Sequence, residues 1–483
     1  MSQFTQKQWF TLIVICVANF ANAICVSLQA PFYPAEAEKK GATATEYGLV
    51  FGIFELVVFL VSPFYGKNMN KFGPKLMLNG GILTAGTCVI LFGFLDRSDG
   101  REPFILLSLI IRIIEALGNA AFVTSSFAII AKEFPDNVAT AFASIETCFG
   151  LGLIVGPTIG GGLYQIGGFT TPFAVLGFVL FAVAVITIFV LPVNNGLQET
   201  DFNTKGKLMK VLSIPGVMLA ATSVVATSMS IGFLQATLEP HLHQFKLTPV
   251  QVGLMFVING GTYALSAPAW GWLCDKRAKP KAATVVGCLL VVIGFGLIGP
   301  VPFIFEKTIL WLTITGLTLH GLGMAAQLVA GFSDALQTAM DHGFPNDIET
   351  YGLISGLWTS TFALGAFIGP TIAGILCDNV GFRYASILIC VLHLIVGIIT
   401  SIFLYCKRRE SKLYKELGIT DRLFTDRTRS SRLRNAQETD IQIISVKPPG
   451  SINSLVLCGS YSNQSNGWMR ISNSNRFGYE SFW

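Results

Sequence analysis

The chain has 483 residues, 52% hydrophobic and only 13% charged, with a mean hydropathy of +0.60. Soluble domains carry about 25% charged residues, so a chain this long and this poor in charge cannot cover a water-facing surface. The net charge of +5 comes mostly from short loops and the C-terminal tail, which argues against a nucleic-acid partner.

The charges fall between apolar runs near 20 residues long, enough to cross a hydrocarbon core of about 30 Å as helix. In chain order the runs sit at 9–30, 47–66, 77–95, 104–131, 139–164 and 173–192, then at 214–236, 250–273, 282–301, 308–330, 351–376 and 384–406. The first is too long for a signal-peptide core and no small-residue cleavage site follows it, so it reads as a retained first helix. The polar stretch 194–213 falls midway and should link two six-helix halves, 1–193 and 214–406. From Lys407 the chain is basic, then rich in Ser and Asn, a composition that cannot bury a core; 407–483 is expected to be a disordered tail. The predicted fold is an all-α membrane protein of twelve transmembrane helices in two six-helix pseudo-repeats.

Orientation follows from Lys and Arg in the short loops. With the N-terminus in the cytoplasm, the inside loops hold twelve Lys or Arg and the outside loops seven. Both termini are therefore expected to be cytoplasmic, and the sequon Asn463-Gln464-Ser465 in the tail unused.

The two halves repeat. Gly48 precedes Gly66 by 18 residues and Gly253 precedes Gly271 by 18, an offset of 205 both times, and a basic turn follows each. Gly152-x3-Gly156-Pro157-x2-Gly160-Gly161 on helix 5 returns on helix 11 as Gly365-x3-Gly369-Pro370-x3-Gly374, offset by 213. Internal duplication with binding at the interface between repeats is the architecture of secondary transporters. The ten cysteines lie mostly inside apolar runs, without CxxC or metal-ligand spacing, and read as small packing residues. No metal and no cofactor is expected. The absence of a P-loop, nucleophile elbow or metal cluster from the sequence argues against an enzyme.

These motifs resemble the major facilitator superfamily. Gly66, Lys71, Gly73 and Lys75 match the family's helix 2–3 loop, with Asn70 at its acidic position; the second half keeps the acid as Asp275. Arg112-Ile113-Ile114-Glu115 resembles the helix 4 R-x-x-Q motif, and the glycine run around Gly156-Pro157 resembles the helix 5 motif that the family associates with antiport. Pro34–Gly41, Phe134–Thr140 and Ser144–Thr147 bring the closer resemblance, to the vesicular amine transporter family and its polyamine branch. Against the monoamine branch, the amine-binding Asp of helix 1 falls on Asn22, and a paired Lys and Asp of helices 2 and 11 fall on Phe54 and Thr359. Both partners of that pair are absent together, which avoids leaving one uncompensated charge.

Ionisable residues inside the spans point to function, because a charge at the helix centre costs about 2.5–3.5 kcal/mol to insert. They are Glu55, Arg112, Glu115, Glu146 and Glu239. Four acids against one Arg suit a cation, and burial favours the protonated form of a carboxylate, which can then exchange a proton for substrate. Glu146 has no helix-local cation and is the leading candidate. Arg112 and Glu115 are three apart on one helix face and can simply neutralise each other. Glu239 precedes Pro240 near a helix end, where a gate residue and a solvated one look alike; Glu55 has no counterpart in the resemblance. His320 and His393 read as packing or hydrogen-bonding residues.

The expected function is proton-coupled antiport of a polyamine such as spermine or spermidine from cytosol into an acidic vesicle. The expected partners are a small organic cation, protons and the lipid bilayer, with no nucleic acid. The alternatives are a broad organic-cation, monoamine or drug antiporter and, from another class, a non-transporting sensor or scaffold on the same fold. Substrate or proton coupling is assigned to Glu146, Glu115, Glu239, Arg112 and Asn22. Conformational roles are assigned to Gly66, Gly73, Asp275, Gly156, Pro157, Gly369 and Pro370. The expected location is a secretory or synaptic-type vesicle.

Overall fold

A computed structural model describes residues 4–191, 207–247, 249–277, 279–299, 308–416, 460–462 and 468–470. Met1–Ser411 forms one compact unit and Lys412–Trp483 another. The first is a bundle of long helices: α1 Gln6–Lys39, α2 Ala44–Lys67, α3 Pro74–Gly93, α4 Arg101–Glu133, α5 Val138–Gly167 and α6 Thr170–Val190, then α7 Pro215–Leu242, α8 Pro249–Arg277, α9 Pro280–Ile298, α10 Leu310–Asp341, α11 Ile348–Val380 and α12 Phe382–Glu416. In the second unit Ser460–Ser462 pairs antiparallel with Trp468–Arg470.

Among the described residues, eleven of these helices are long and apolar enough to cross a membrane. The remaining one, α8, is 29 residues long and carries Asn259 and Tyr263, whose side chains bond inside the protein. Phe189, 83% exposed, is one of many large apolar side chains that face outward, as lipid contact requires. Helix boundaries follow local chemistry. Pro74, Pro215 and Pro280 stand at the first turns of α3, α7 and α9, where a missing N–H costs nothing. Gly168 and Gly381 end α5 and α11 at φ of +73° and +78°, a further pair at the 213-residue repeat.

Several boundaries differ from the sequence expectation: α1 runs to Lys39, nine residues past 30, and α7 to Leu242, six past 236. Helix α10 continues to Asp341, eleven residues past 330, so Asp334 lies within it. Helix α12 continues past Lys407 to Glu416, into the segment read as tail. Of the stretch 194–213, residues through 206 lie outside the described residues, but Lys207–Leu212 is a short helix whose Lys207 pairs with Glu349 at 2.7 Å. Residues 417–459 and Asn463 also lie outside the described residues.

Packing repeats as the sequence does. In the first half α5 lies on α1, and in the second α11 lies on α7. The glycine runs make these contacts: a Cβ on Gly152 would come within 2.6 Å of Phe20 O, one on Gly156 within 2.9 Å of Ile24 O, and one on Gly369 within 2.5 Å of Met229 O. Close backbone approach of this kind drives helix association where no hydrophobic effect operates between helices. The motif thus binds helices within each half. Gly161 and Gly374, in the same runs, have open space where a Cβ would stand, with no neighbouring atom within 4 Å.

The halves meet through α2 with α11 and α5 with α8. At the end carrying the α2–α3 and α8–α9 turns they touch backbone to backbone: a Cβ on Gly352 would lie 2.7 Å from Gly66 O, and one on Gly271 2.6 Å from Ala139 O. Towards the other end contact passes to side chains, with Gly52 facing the Phe367 ring and Gly260 facing Ile154; Gly48 and Gly253 meet nothing within 4 Å. The halves are therefore pressed together at the basic-turn end and diverge from it.

Substitution separates the two classes of glycine. Gly156→Val and Gly369→Val should each destabilise the bundle by about 1–3 kcal/mol through overpacking, while Gly161→Ala and Gly374→Ala should be neutral. The thermal unfolding midpoint of the detergent-purified protein reads this; equal loss in all four variants would contradict the packing described.

Candidate functional site

Midway along the helices a cavity is lined from both halves. Its polar lining is Asn19, Glu55, Asn119, Glu146 and Thr359, and its aromatic wall comprises Phe54, Phe127, Phe149, Trp358 and Phe362. Phe54 and Thr359 both line it. Neither carries a charge at neutral pH.

Glu146, 4% exposed, projects from α5 and accepts a hydrogen bond from the Tyr263 hydroxyl of α8 in the opposite half. Two further bonds tie the halves near this level: Thr147 Oγ1 donates to Ala264 O at 2.9 Å, and Ser360 Oγ donates to Phe59 O at 2.7 Å. Toward the basic-turn end the cavity is closed by aromatic rings from both halves. Phe142 stacks on Phe332 at 4.5 Å, with Trp358 edge-on to Phe142 at 5.2 Å and to Phe127 at 5.1 Å.

The other predicted site residues separate. Arg112 and Glu115 are 3% and 2% exposed and pair with each other at 3.0 Å. Gln29 of α1 donates to the same carboxylate at 3.0 Å, and the guanidinium lies 4.3 Å from the Phe54 ring centroid, behind the cavity wall. Neither lines the cavity. Asn22, 3% exposed, donates to Asn119 Oδ1 at 2.8 Å and reaches the cavity only through that partner. Glu239 is exposed on α7 and is not brought to these groups. His320 closes a network in the second half: Asn259 Nδ2 lies 2.8 Å from Nδ1, and Ser230 Oγ lies 3.0 Å from Nε2. With Asn259 donating, the ring needs one N–H only, so a neutral imidazole satisfies every contact. Among the described residues, no group of three or more His, Cys, Asp or Glu could hold a metal ion.

At the closed end Asp275 of α8 caps the N-terminus of α5. Its carboxylate accepts from Ala139 N at 3.0 Å, Thr140 N at 2.7 Å and Thr140 Oγ1 at 2.6 Å. Free N–H groups and the helix dipole both favour an anion there. In the other half the turn containing Asn70 packs on the start of α11, which has its own acid: Thr350 N donates to Asp347 Oδ1 at 2.8 Å. The departure at Asn70 thus falls where the facing helix is already capped. Gly73 takes φ +81° between the short helix Met69–Phe72 and Pro74, the conformation a sharp turn into α3 requires.

Two features escape a reading by helix. Tyr263 looks like any aromatic on an apolar run until α5 and α8 pack. Lys281 and Asp334, 6% and 5% exposed, form a buried ion pair between α9 and α10, with Thr338 Oγ1 3.1 Å from the ammonium. Ending helix 10 at 330 hid this pair; carrying the apolar periodicity of 331–341 onward would have exposed it.

Because Arg112 and Glu115 neutralise each other in a buried place, either Arg112→Gln or Glu115→Gln alone should cost about 3–5 kcal/mol by stranding a charge. The Arg112→Gln/Glu115→Gln double variant should recover most of that loss. Thermal unfolding of the purified proteins checks the cycle, and strictly additive losses would mean that the two charges do not depend on one another.

Comparison with known proteins agrees with this architecture. The sequence profile of the Major Facilitator Superfamily matches residues 15–347 and 344–438. The MFS-type transporter SLC18B1 of Homo sapiens is 37% identical over 413 residues, 84% of this chain and 90% of its own. The SLC18B1 of Mus musculus is 35% identical over 86% of this chain and 91% of its own. The chromaffin granule amine transporter of Rattus norvegicus is 24% identical over 72% of this chain and 64% of its own. The human organic anion transporter MFSD10 (TETRAN) shares the fold, with a TM-score of 0.66 at 18% identity over 81% of this chain and 99% of that one. These relatives are multi-pass membrane transporters, not enzymes. The chain belongs to the major facilitator superfamily and, within it, stands with SLC18B1 in the vesicular amine transporter family.

Proposed function

We propose that this chain is a proton-coupled antiporter that moves polyamines such as spermine and spermidine from the cytosol into acidic vesicles, with both termini in the cytosol. One observation carries the reading. Glu146 is a buried carboxylate on the wall of the central cavity, and its hydrogen-bond partner Tyr263 comes from the opposite half. A group so placed can exchange a proton for an ammonium ion, and either event changes a bond that joins the two halves. Relatives named as vesicular amine transporters support a vesicular amine as cargo.

In the proposed orientation the basic-turn end faces the cytosol, so the closed end is the cytosolic one. The form described is then the one that exchanges with the vesicle lumen. Asp275 on the α5 N-terminus and the Phe142–Phe332 stack hold it shut. Moving a trivalent cation into a lumen positive by about 100 mV costs about 7 kcal/mol, at about 2.3 per charge, and proton exit must offset it. The runner-up, a broad organic-cation antiporter, draws on the five aromatic rings of the cavity wall, since a single ammonium on a ring also binds by cation–π attraction.

Purified protein in proteoliposomes with an imposed pH gradient should accumulate spermidine, and spermidine should compete better than serotonin or dopamine. Equal uptake of monoamines favours the runner-up. Glu146→Gln keeps shape and hydrogen bonding but removes the titrating group, and should abolish gradient-driven uptake; normal uptake by that variant removes Glu146 from the mechanism. Asn22→Asp restores the acid of the monoamine relatives and should shift preference towards monoamines. Epitope tags at residues 2 and 483 should be reached by antibody when the plasma membrane alone is permeabilised; protection of either overturns the orientation.

A further inference from the structure

The cavity contains a second carboxylate that the proposed mechanism has not used. Glu55 of α2 lines the same cavity as Glu146 of α5. Among the described residues it makes no hydrogen bond and no ion pair, whereas every other acid of the spans is accounted for. Glu115 is held by Arg112 and Gln29, Asp334 by Lys281 and Thr338, and Glu239 is exposed. Arg112 stands behind the Phe54 ring and is committed to Glu115. No Lys, Arg or His is among the cavity-lining residues. The cavity therefore presents two acids from two helices with no protein cation between them, and an apolar aromatic wall beside them.

One monovalent cation leaves one of these acids without a partner. A molecule with two ammonium groups joined by methylenes satisfies both and lays its apolar segment on the rings of Phe54, Phe127 and Trp358. We propose that Glu55 is the second anchor of a two-point cation site, binding one ammonium group of a substrate whose other ammonium group reaches Glu146. Glu55 then sets the requirement for a second positive charge. The proposal rests on the reading of the chain as a polyamine carrier and assigns the charge-counting role within it.

The test is competition for spermidine uptake in proteoliposomes holding the full-length chain, with butylamine, putrescine and spermidine as one-, two- and three-charge competitors. In the unmodified protein, putrescine should compete at least about tenfold better than butylamine, which has the same carbon chain and one charge fewer. Glu55→Gln should weaken putrescine and spermidine by about tenfold and leave butylamine within about twofold, so that the preference collapses. Glu55→Asp keeps the charge and should keep the preference. A preference unchanged in Glu55→Gln, or all three competitors weakened alike, overturns the proposal. Should Glu55→Gln yield no folded protein, the unmodified protein still decides: no step in affinity between butylamine and putrescine rules out a two-point site. Absence of any amine uptake by the unmodified protein overturns the function proposed above, and this inference with it, whereas uptake without the step overturns this inference alone.

Discussion

A charge inside a bilayer has no water to stabilise it, and the interior of this bundle is arranged around that shortage. Arg112 and Glu115 meet at 3.0 Å with Gln29 filling a remaining site on the carboxylate. Lys281 and Asp334 meet likewise, with Thr338 on the ammonium. His320 sits in a network that a neutral ring completes. Each of these groups is compensated by the protein itself. The exceptions, Glu55 and Glu146, lie where a solute can reach them. Compensated charge is architecture in this molecule, and uncompensated charge marks the cavity.

The same solvent shapes the packing. Lipid tails are as apolar as Leu, so helices gain nothing by hiding Leu from them, and close backbone approach takes over. The tightest approaches involving the glycine-proline motifs lie within the halves, α5 on α1 and α11 on α7. Between the halves, backbone contact is confined to the basic-turn end and gives way to side chains beyond it. Two units that are tight within and lightly joined between suit movement of one half against the other. Asp275 makes that junction unequal. It supplies the N-terminal anion of α5 from across the interface, while α11 supplies its own from Asp347. Separation of the halves at this end would cost α5 its cap and leave α11 intact.

Much of the fold was legible in the residues alone. Span length and loop polarity marked most of the helices, and the 205- and 213-residue offsets disclosed the repeat because duplicated helices keep duplicated glycines. The basic turn at Gly66–Gly73 was legible too, since a glycine at φ +81° before Pro74 needs no tertiary context. Boundaries were harder. Asp334 reads as part of a loop because a polar residue in a run usually ends it, whereas here Lys281 from the preceding helix α9 compensates it inside. In α8, likewise, the polar groups of Asn259 and Tyr263 are bonded across helices.

The candidate site was legible as a set of types and not as a set of positions. By itself the sequence determined that acids exceed bases within the spans and that Glu146 has no cation on its own helix. Only the tertiary structure decided which acids share a space. It placed Glu115 with Arg112 and Gln29, left Glu239 outside, and set Glu55 and Glu146 on one cavity with Tyr263 reaching across from the other half. The physical reason is that insertion cost depends on residue type and depth, which a linear chain carries. Compensation depends on distance between helices far apart in sequence, which exists only once the helices have packed.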